Sequence, residues 1–215
     1  IPISERAKQL TGGTFIALAP SLVYDTRDRI INPRDGLVAN IKFTENVGIS
    51  DLNHTHGTLT GGIRKYFPVM TKSAISVTAR AGGTIHGDIP EVMAFRLGGP
   101  YTVRGYKMSS IGTGTSYVMG SVELTTPFFF LDRIKKLRFL DNVKFAMFVD
   151  AGKLFDTTVT DKIYNRPGYG IAAGAGIKVF VPGVGPLSID YGYPLANVGR
   201  GNGKGAFTFG IGDLF

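Results

Sequence analysis

The chain has 215 residues without Cys or Trp, and its 24 Lys and Arg exceed its 16 Asp and Glu, giving a formal net charge of +8. The absence of Cys excludes a disulfide scaffold, a thiolate zinc site, an iron–sulfur cluster and a cysteine nucleophile. The basic residues are spread singly, apart from a group at 133–138 in one predicted loop. We expect no nucleic-acid partner, because nucleic-acid binders gather Lys and Arg on one face.

Alternating apolar and polar residues, separated by turn residues, predict an all-β protein. Between Ala74 and His86, for example, Ile75, Val77 and Ile85 share one face with Ala79, Ala81 and Gly83. The pattern predicts nine strands, in chain order Thr14–Thr26, Leu37–Gly48, Gly57–Phe67, Ala74–His86, Ser116–Pro127, Val143–Gly152, Tyr169–Phe180, Leu187–Pro194 and Gly205–Phe215.

Two features of these strands favour an antiparallel transmembrane β-barrel over a soluble sandwich. Most are about 10 to 13 residues long, which suits the ~9–11 residues of a tilted membrane strand. The face opposite the apolar one carries Gly, Ser and isolated charges, as a polar lumen does. Most connections also alternate between short turns and long loops, although the turn between Phe128 and Asn142 is longer than this pattern predicts.

The longest predicted loop, at about 87–115, contains the most informative motif. It reads Leu97-Gly98-Gly99, followed by Val103-Arg104-Gly105-Tyr106. This motif resembles the loop signature of the BamA-like outer-membrane insertase and translocase superfamily. That superfamily includes bacterial assembly factors, two-partner secretion transporters and organellar import channels. Further segments resemble its strands in the same order: 21–28 with the turn 33–36, then 120–127, 148–152, 185–192 and 207–212.

The resemblance implies that the loop folds back into the barrel lumen and that Arg104 meets Glu123 and Asp150 on the inner wall. Strand alternation independently places both carboxylates on the inner face, because a lipid-facing carboxylate is costly. The three glycines allow tight turns, and Tyr101 and Tyr106 are expected to pack the loop tip against the wall. Two roles stay open for the ion cluster: a staple that only holds the loop, or a direct part in gating.

The family barrel has about sixteen strands, of which the nine predicted here are the last nine. The N-terminal periplasmic domains and first strands of the family are therefore expected to be absent from this chain. A fragment is favoured, with pairing to another chain or closure as a small barrel as alternatives. The resemblance implies a seam between the first and last strands of the barrel, where incoming strands pair. The last predicted strand, Gly205–Phe215, is one side of this seam, and we call it the seam strand. It is expected to point Phe207, Phe209, Ile211 and the terminal Phe215 outward.

The remaining signals do not predict chemistry. His54 and His56, with His86, lack a further ligand, so no metal site is expected. The glycine-rich segment 199–205 lacks the residues of a phosphate loop and is interpreted as a hairpin loop. No catalytic residue and no cofactor are predicted, so we expect a protein that is not an enzyme.

The resemblance implies assembly of outer-membrane β-barrel proteins through pairing with the edge of the seam strand. The alternative is a polypeptide-secreting pore of the two-partner type, with a passive channel and a soluble β-protein next. Expected partners are outer-membrane lipids, unfolded outer-membrane or secreted polypeptides, and accessory assembly proteins. A bacterial outer membrane is the expected location, with an organellar outer membrane as the less favoured alternative.

Overall fold

The structure is a computed structural model, which describes residues 14–49, 55–127, 143–155, 168–181, 185–197 and 204–212. The described residues form twelve β-strands and a single turn of 3-10 helix at Glu91–Met93. The strands are β1 (Phe15–Leu18), β2 (Ser21–Asp25), β3 (Gly36–Gly48), β4 (His56–Met70), β5 (Ser73–Gly87), β6 (Phe95–Leu97), β7 (Gly112–Gly114), β8 (Ser116–Pro127), β9 (Val143–Phe155), β10 (Tyr169–Val181), β11 (Gly185–Ala196) and β12 (Ala206–Ile211).

Ten of these strands form one antiparallel sheet in the order β1-β3-β4-β5-β8-β9-β10-β11-β12, and β2 also pairs with β3. Strands that follow one another in the chain are mostly neighbours in space, as hairpin connections produce. Strands β6 and β7 form a separate two-stranded sheet within the long loop. The predicted all-β antiparallel architecture is confirmed. Among the described residues, no helix has the length and apolarity needed to cross a membrane.

The first predicted strand is wrong as a single element, because the segment 14–26 divides into β1 and β2. Both pieces pair with β3, β1 with its end at Glu45–Gly48 and β2 with Val38–Lys42. Pro20 lies at the break. It has no N–H to continue the ladder, although its carbonyl oxygen accepts the amide of Phe43 at 3.1 Å.

The hairpin of β6 and β7 was not predicted, since three-residue strands are too short to show alternation. At the other end of the chain, β12 is described as far as Ile211. Phe215 lies outside the described residues, as do His54, the basic group at 133–138 and most of the glycine-rich segment 199–205.

The large sheet has one apolar and one polar face. The register places residues of the same face opposite one another on neighbouring strands. Val77, Val122 and Val149 form one row on the outer face, where each is more than 40% exposed. The next row, Ser76, Glu123 and Phe148, lies on the inner face and is buried. Further exposed apolar side chains continue the outer face: Ile41, Leu59, Ile63, Val118, Met147, Ile177, Ile189, Phe207 and Phe209. An exposed apolar face of this extent, opposite a polar one, is typical of a barrel wall in lipid.

The long loop covers part of the inner face and packs there in a small hydrophobic core. Buried residues of the loop and of β8, β9 and β10 form this core: Leu97, Val103, Tyr106, Ile111, Met119, Leu154 and Ala172. Packing therefore fixes the loop against one side of the sheet interior.

We predict that Val122→Lys, which places a charge in the middle of the outer face, destabilises the membrane-inserted protein by about 2–4 kcal/mol. Urea unfolding of the natural full-length protein from lipid vesicles measures this loss. Asn40→Lys on the inner face, next to the existing Lys42, is the matched control and is expected to change stability by less than about 1 kcal/mol. Equal losses for the two variants would contradict the assignment of the faces.

Candidate functional site

The loop tip is held by a short hairpin and a tight turn. Phe95, Arg96 and Leu97 pair with Gly114, Thr113 and Gly112, and the amide of Ile111 donates to the carbonyl of Leu97 at 3.1 Å. Within the tip, the amide of Gly98 donates to Oγ1 of Thr102 at 2.8 Å. These bonds present Arg104 to the inner face of the sheet.

A backbone contact between Gly105 and Gly192 sets how closely the loop approaches β11. Gly105 has a φ of +88°, which disfavours any residue with a side chain. A Cβ on Gly105 would lie 2.7 Å from the carbonyl carbon of Gly192, and a Cβ on Gly192 would lie 2.6 Å from the amide nitrogen of Gly105. The two backbones therefore touch only because both positions are glycine.

Arg104 binds Asp150 of β9 through both its side chain and its backbone. Its Nε lies 2.8 Å from Oδ2 of Asp150 and its Nη2 lies 2.9 Å from Oδ1, a bidentate pair. The amide of Arg104 donates to the same Oδ2 at 3.1 Å. Ser121 of β8 donates its hydroxyl to Oδ1 at 2.6 Å, so the buried carboxylate accepts four hydrogen bonds.

Glu123 of β8 completes the charge pairing of the guanidinium. Its Oε2 accepts Nη1 of Arg104 at 2.6 Å, and its Oε1 accepts Nζ of Lys178 from β10. The guanidinium carbon also lies 3.5 Å from the centroid of the Phe148 ring, a cation–π contact. Arg104 is thus enclosed by side chains of β8 and β9, as a desolvated cation requires.

A third carboxylate, that of Asp190 in β11, lies near the guanidinium of Arg104. Its Oδ1 lies 3.7 Å from Nη1 of Arg104 and has no hydrogen-bond partner among the described residues. Three carboxylates therefore surround two cations, Arg104 and Lys178. The arrangement can therefore hold the loop against the inner face by charge.

Tyr106 fixes the loop at a second point, where the pairing of β10 and β11 is irregular. The register shifts between Ile171 and Ala172. The hydroxyl of Tyr106 accepts the amide of Ile171 at 3.2 Å and contacts the carbonyl oxygens of Ile171 and Ala196. The hydroxyl thus serves backbone groups at the point where the ladder is interrupted.

Comparison with known proteins agrees with this geometry. The model of the Omp85 superfamily domain matches residues 7–215. The chain belongs to the Omp85 superfamily.

Named relatives of this Omp85 chain include two from Arabidopsis thaliana. The chain is 33% identical over 137 residues to the chloroplastic outer envelope protein 80, covering 61% of this chain and 16% of the relative. It is 30% identical over 139 residues to the chloroplastic protein TOC75-3, covering 62% of this chain and 14% of the relative. The Omp85 chain thus spans less than a fifth of the length of either relative.

A solved structure is also similar in fold. The crystal structure of BamA from Haemophilus ducreyi lacking POTRA domains 1–3 superposes with a TM-score of 0.70 at 21% identity. The match covers 90% of this chain and 41% of that one. It therefore places the described sheet within part of a larger barrel.

The structure brings most of the predicted site residues of the Omp85 chain together. Leu97 and Val103 lie in the loop core with Tyr106, Gly98 and Gly99 form the tip turn, and Arg104 lies against Glu123 and Asp150. The seam residues Phe207, Phe209 and Ile211 are exposed on the outer face of β12. His86 contacts Glu45 at 2.8 Å, and the described residues contain no group of three His, Asp or Glu side chains placed to hold a metal ion.

Sequence reasoning missed Lys178, Asp190, Ser121 and Phe148 as members of the cluster. Lys178 and Asp190 carried a usable signal, because each is a charge at an inward-facing position of a predicted membrane strand. Ser121 and Phe148 carried none, since Ser and Phe occur throughout these strands.

We predict that Gly192→Ala displaces the loop without changing any residue in it, because the added Cβ meets the backbone of Gly105. In the natural full-length protein, limited proteolysis should then cut the loop about tenfold faster, which corresponds to ~1.4 kcal/mol. Gly120→Ala, whose Cβ would have its nearest contact at 3.4 Å, is the control and should leave the cutting rate unchanged. Unchanged cutting in Gly192→Ala would contradict the contact.

We also predict different effects for the carboxylates. Asp150→Asn removes the bidentate partner of a buried cation and should lower stability by about 3–5 kcal/mol. Asp190→Asn removes no hydrogen bond to Oδ1 and should change stability by less than about 1 kcal/mol. The temperature at which the folded band on a denaturing gel converts to the unfolded band compares them. The reverse order would contradict the assigned pairing.

Proposed function

We propose that the protein assembles β-barrel proteins in an outer membrane, with β12 as the strand to which substrate strands pair. The mechanism is non-enzymatic. A backbone edge offers donors and acceptors in register, and an extended polypeptide completes its own hydrogen bonds by adding to that edge. Unfolded outer-membrane polypeptides are the proposed substrates, and lipids and accessory assembly proteins are the proposed partners.

The observation that carries this proposal is the position of the loop. Leu97, Val103 and Tyr106 of the loop pack against the inner face, and Arg104 makes several charge-assisted hydrogen bonds with β8 and β9. A polypeptide passing through the lumen has to pass this loop and its buried cluster. A strand that adds to the edge of β12 leaves it intact, which supports edge pairing over passage through the lumen.

Membership of the Omp85 superfamily and the apolar outer face support an outer-membrane location. The expectation of a bacterial rather than an organellar membrane finds no support, because the two Arabidopsis relatives are named as chloroplast proteins. The proposal therefore specifies an outer membrane without choosing between a bacterial cell and an organelle. We also propose that the chain is part of a longer protein with N-terminal periplasmic domains, since it spans a small part of the length of its relatives.

Reconstitution of the natural full-length protein into liposomes tests the function. We expect it to speed the folding of a urea-denatured porin at least about tenfold over empty liposomes, because edge pairing satisfies backbone groups before they enter lipid. A secretion pore of the two-partner type instead leaves the folding rate unchanged and shows conductance. That result would overturn the proposal in favour of the alternative.

Variants of two loop arginines show whether the cluster contributes. Arg104→Ala should reduce the folding rate of the porin, because the loop loses its charged contacts with β8 and β9. Arg96→Ala is the matched control: Arg96 lies in the same loop and is exposed, and its side chain donates a 3.3 Å bond to the carbonyl oxygen of Glu91. Equal activity of both variants would exclude a functional role for the cluster.

A further inference from the structure

Tyr101 connects the loop to β12, the strand at one end of the sheet. Its hydroxyl accepts the amide of Ile211 at 2.9 Å and donates to the carbonyl oxygen of the same residue at 2.9 Å. The Tyr101 ring would lie 3.8 Å from a Cβ placed on Gly210. The loop thus contacts the strand that the proposed function assigns to substrate pairing.

The two hydrogen bonds lie on the edge of β12 that faces away from β11. The amide of Gly212 donates to the carbonyl oxygen of Pro186 at 2.7 Å, next to β11. Backbone groups alternate between the two edges of a strand. Those of Ile211, like those of Phe207 and Phe209, therefore point to the far edge.

A single hydroxyl reproduces at Ile211 what one residue of a neighbouring strand supplies. In an antiparallel ladder, two opposite residues of a hydrogen-bonded pair exchange both of their backbone bonds. Tyr101 likewise accepts from the amide and donates to the carbonyl of one residue. Tyr106 shows the same chemistry at Ile171, where the ladder of β10 and β11 is irregular.

We propose that Tyr101 caps the edge of β12 and competes with an incoming β-strand for the backbone of Ile211. This proposal rests on the edge-pairing function proposed above. An extended polypeptide pairs first with Phe207 and Phe209, whose far edge pairs with no strand among the described residues, and reaches Ile211 only by displacing the hydroxyl. Tyr101 thereby limits how far pairing proceeds towards the end of β12.

The contact of Tyr101 with β12 is separate from the contacts that hold the rest of the loop. Tyr101 precedes Arg104 by three residues, and its carbonyl oxygen accepts Nη2 of Arg80 from β5 at 3.4 Å. Displacement of Tyr101 from β12 therefore leaves the loop attached through Arg80 and Arg104. An incoming strand can take the edge without dismantling the cluster.

The first experiment measures the cap itself in the natural full-length protein without substrate. Tyr101→Phe keeps the ring and removes the hydroxyl, so hydrogen exchange of the Ile211 amide should rise about tenfold. The amide of Gly212, which donates to Pro186, serves as an internal reference. Tyr106→Phe is the matched variant and should raise exchange at Ile171 but not at Ile211. Unchanged exchange at Ile211 in Tyr101→Phe would overturn the proposal.

The second experiment measures the competition by cross-linking. The chain has no native Cys, so Ile211→Cys or Phe207→Cys gives a single site on β12 for disulfide trapping of a porin strand that carries one Cys. Adding Tyr101→Phe should raise the yield at position 211 several-fold and leave the yield at position 207 unchanged.

The outcomes separate the cap from the function on which it rests. Equal yields at 211 with and without the hydroxyl, together with trapping at 207, would retain edge pairing and overturn the competition. No trapping at either position, together with faster exchange at Ile211, would retain the contact of Tyr101 but overturn edge pairing and the competition with it.

Discussion

The position of the loop depends on pairing one buried cation, the guanidinium of Arg104, with carboxylates. The guanidinium of Arg104 lies inside the wall formed by β8 and β9, where an unpaired charge is costly. Asp150 supplies a bidentate partner, Glu123 supplies a second carboxylate, and Phe148 covers the face of the guanidinium. Each partner has to face inward, so the register of two neighbouring strands and the position of the loop are fixed together.

Small residues make this arrangement possible. The loop approaches β11 closely enough only because Gly105 and Gly192 have no side chains to separate them. Tyrosine hydroxyls then serve backbone groups that a neighbouring strand does not, Tyr106 at Ile171 and Tyr101 at Ile211. The loop is therefore held by charge at Arg104 and by hydrogen bonds to backbone groups at Tyr106 and Tyr101. One loop thus contacts both the inner face of the sheet and the edge of β12.

Features set by neighbouring residues in the chain were predicted more accurately than features set by contacts between distant segments. Alternation is a local property, so the eight strands from β3 to β5 and from β8 to β12 were predicted within a few residues wherever the structure describes them. The break at Pro20 was readable in principle, because proline removes a ladder donor. The strands β6 and β7 were not, since three residues are too few to establish a period.

The sequence by itself determined which residues face each side of the sheet, because a strand has a period of two and charge is excluded from lipid. That was sufficient to turn Glu123 and Asp150 inward, and the motif around Arg104 indicated its family. Only the tertiary structure decided that Lys178 and Asp190 join the cluster and that Tyr101 reaches Ile211. Those contacts join strands and a loop that are distant in the chain, and only the curvature and register of the whole sheet bring them together.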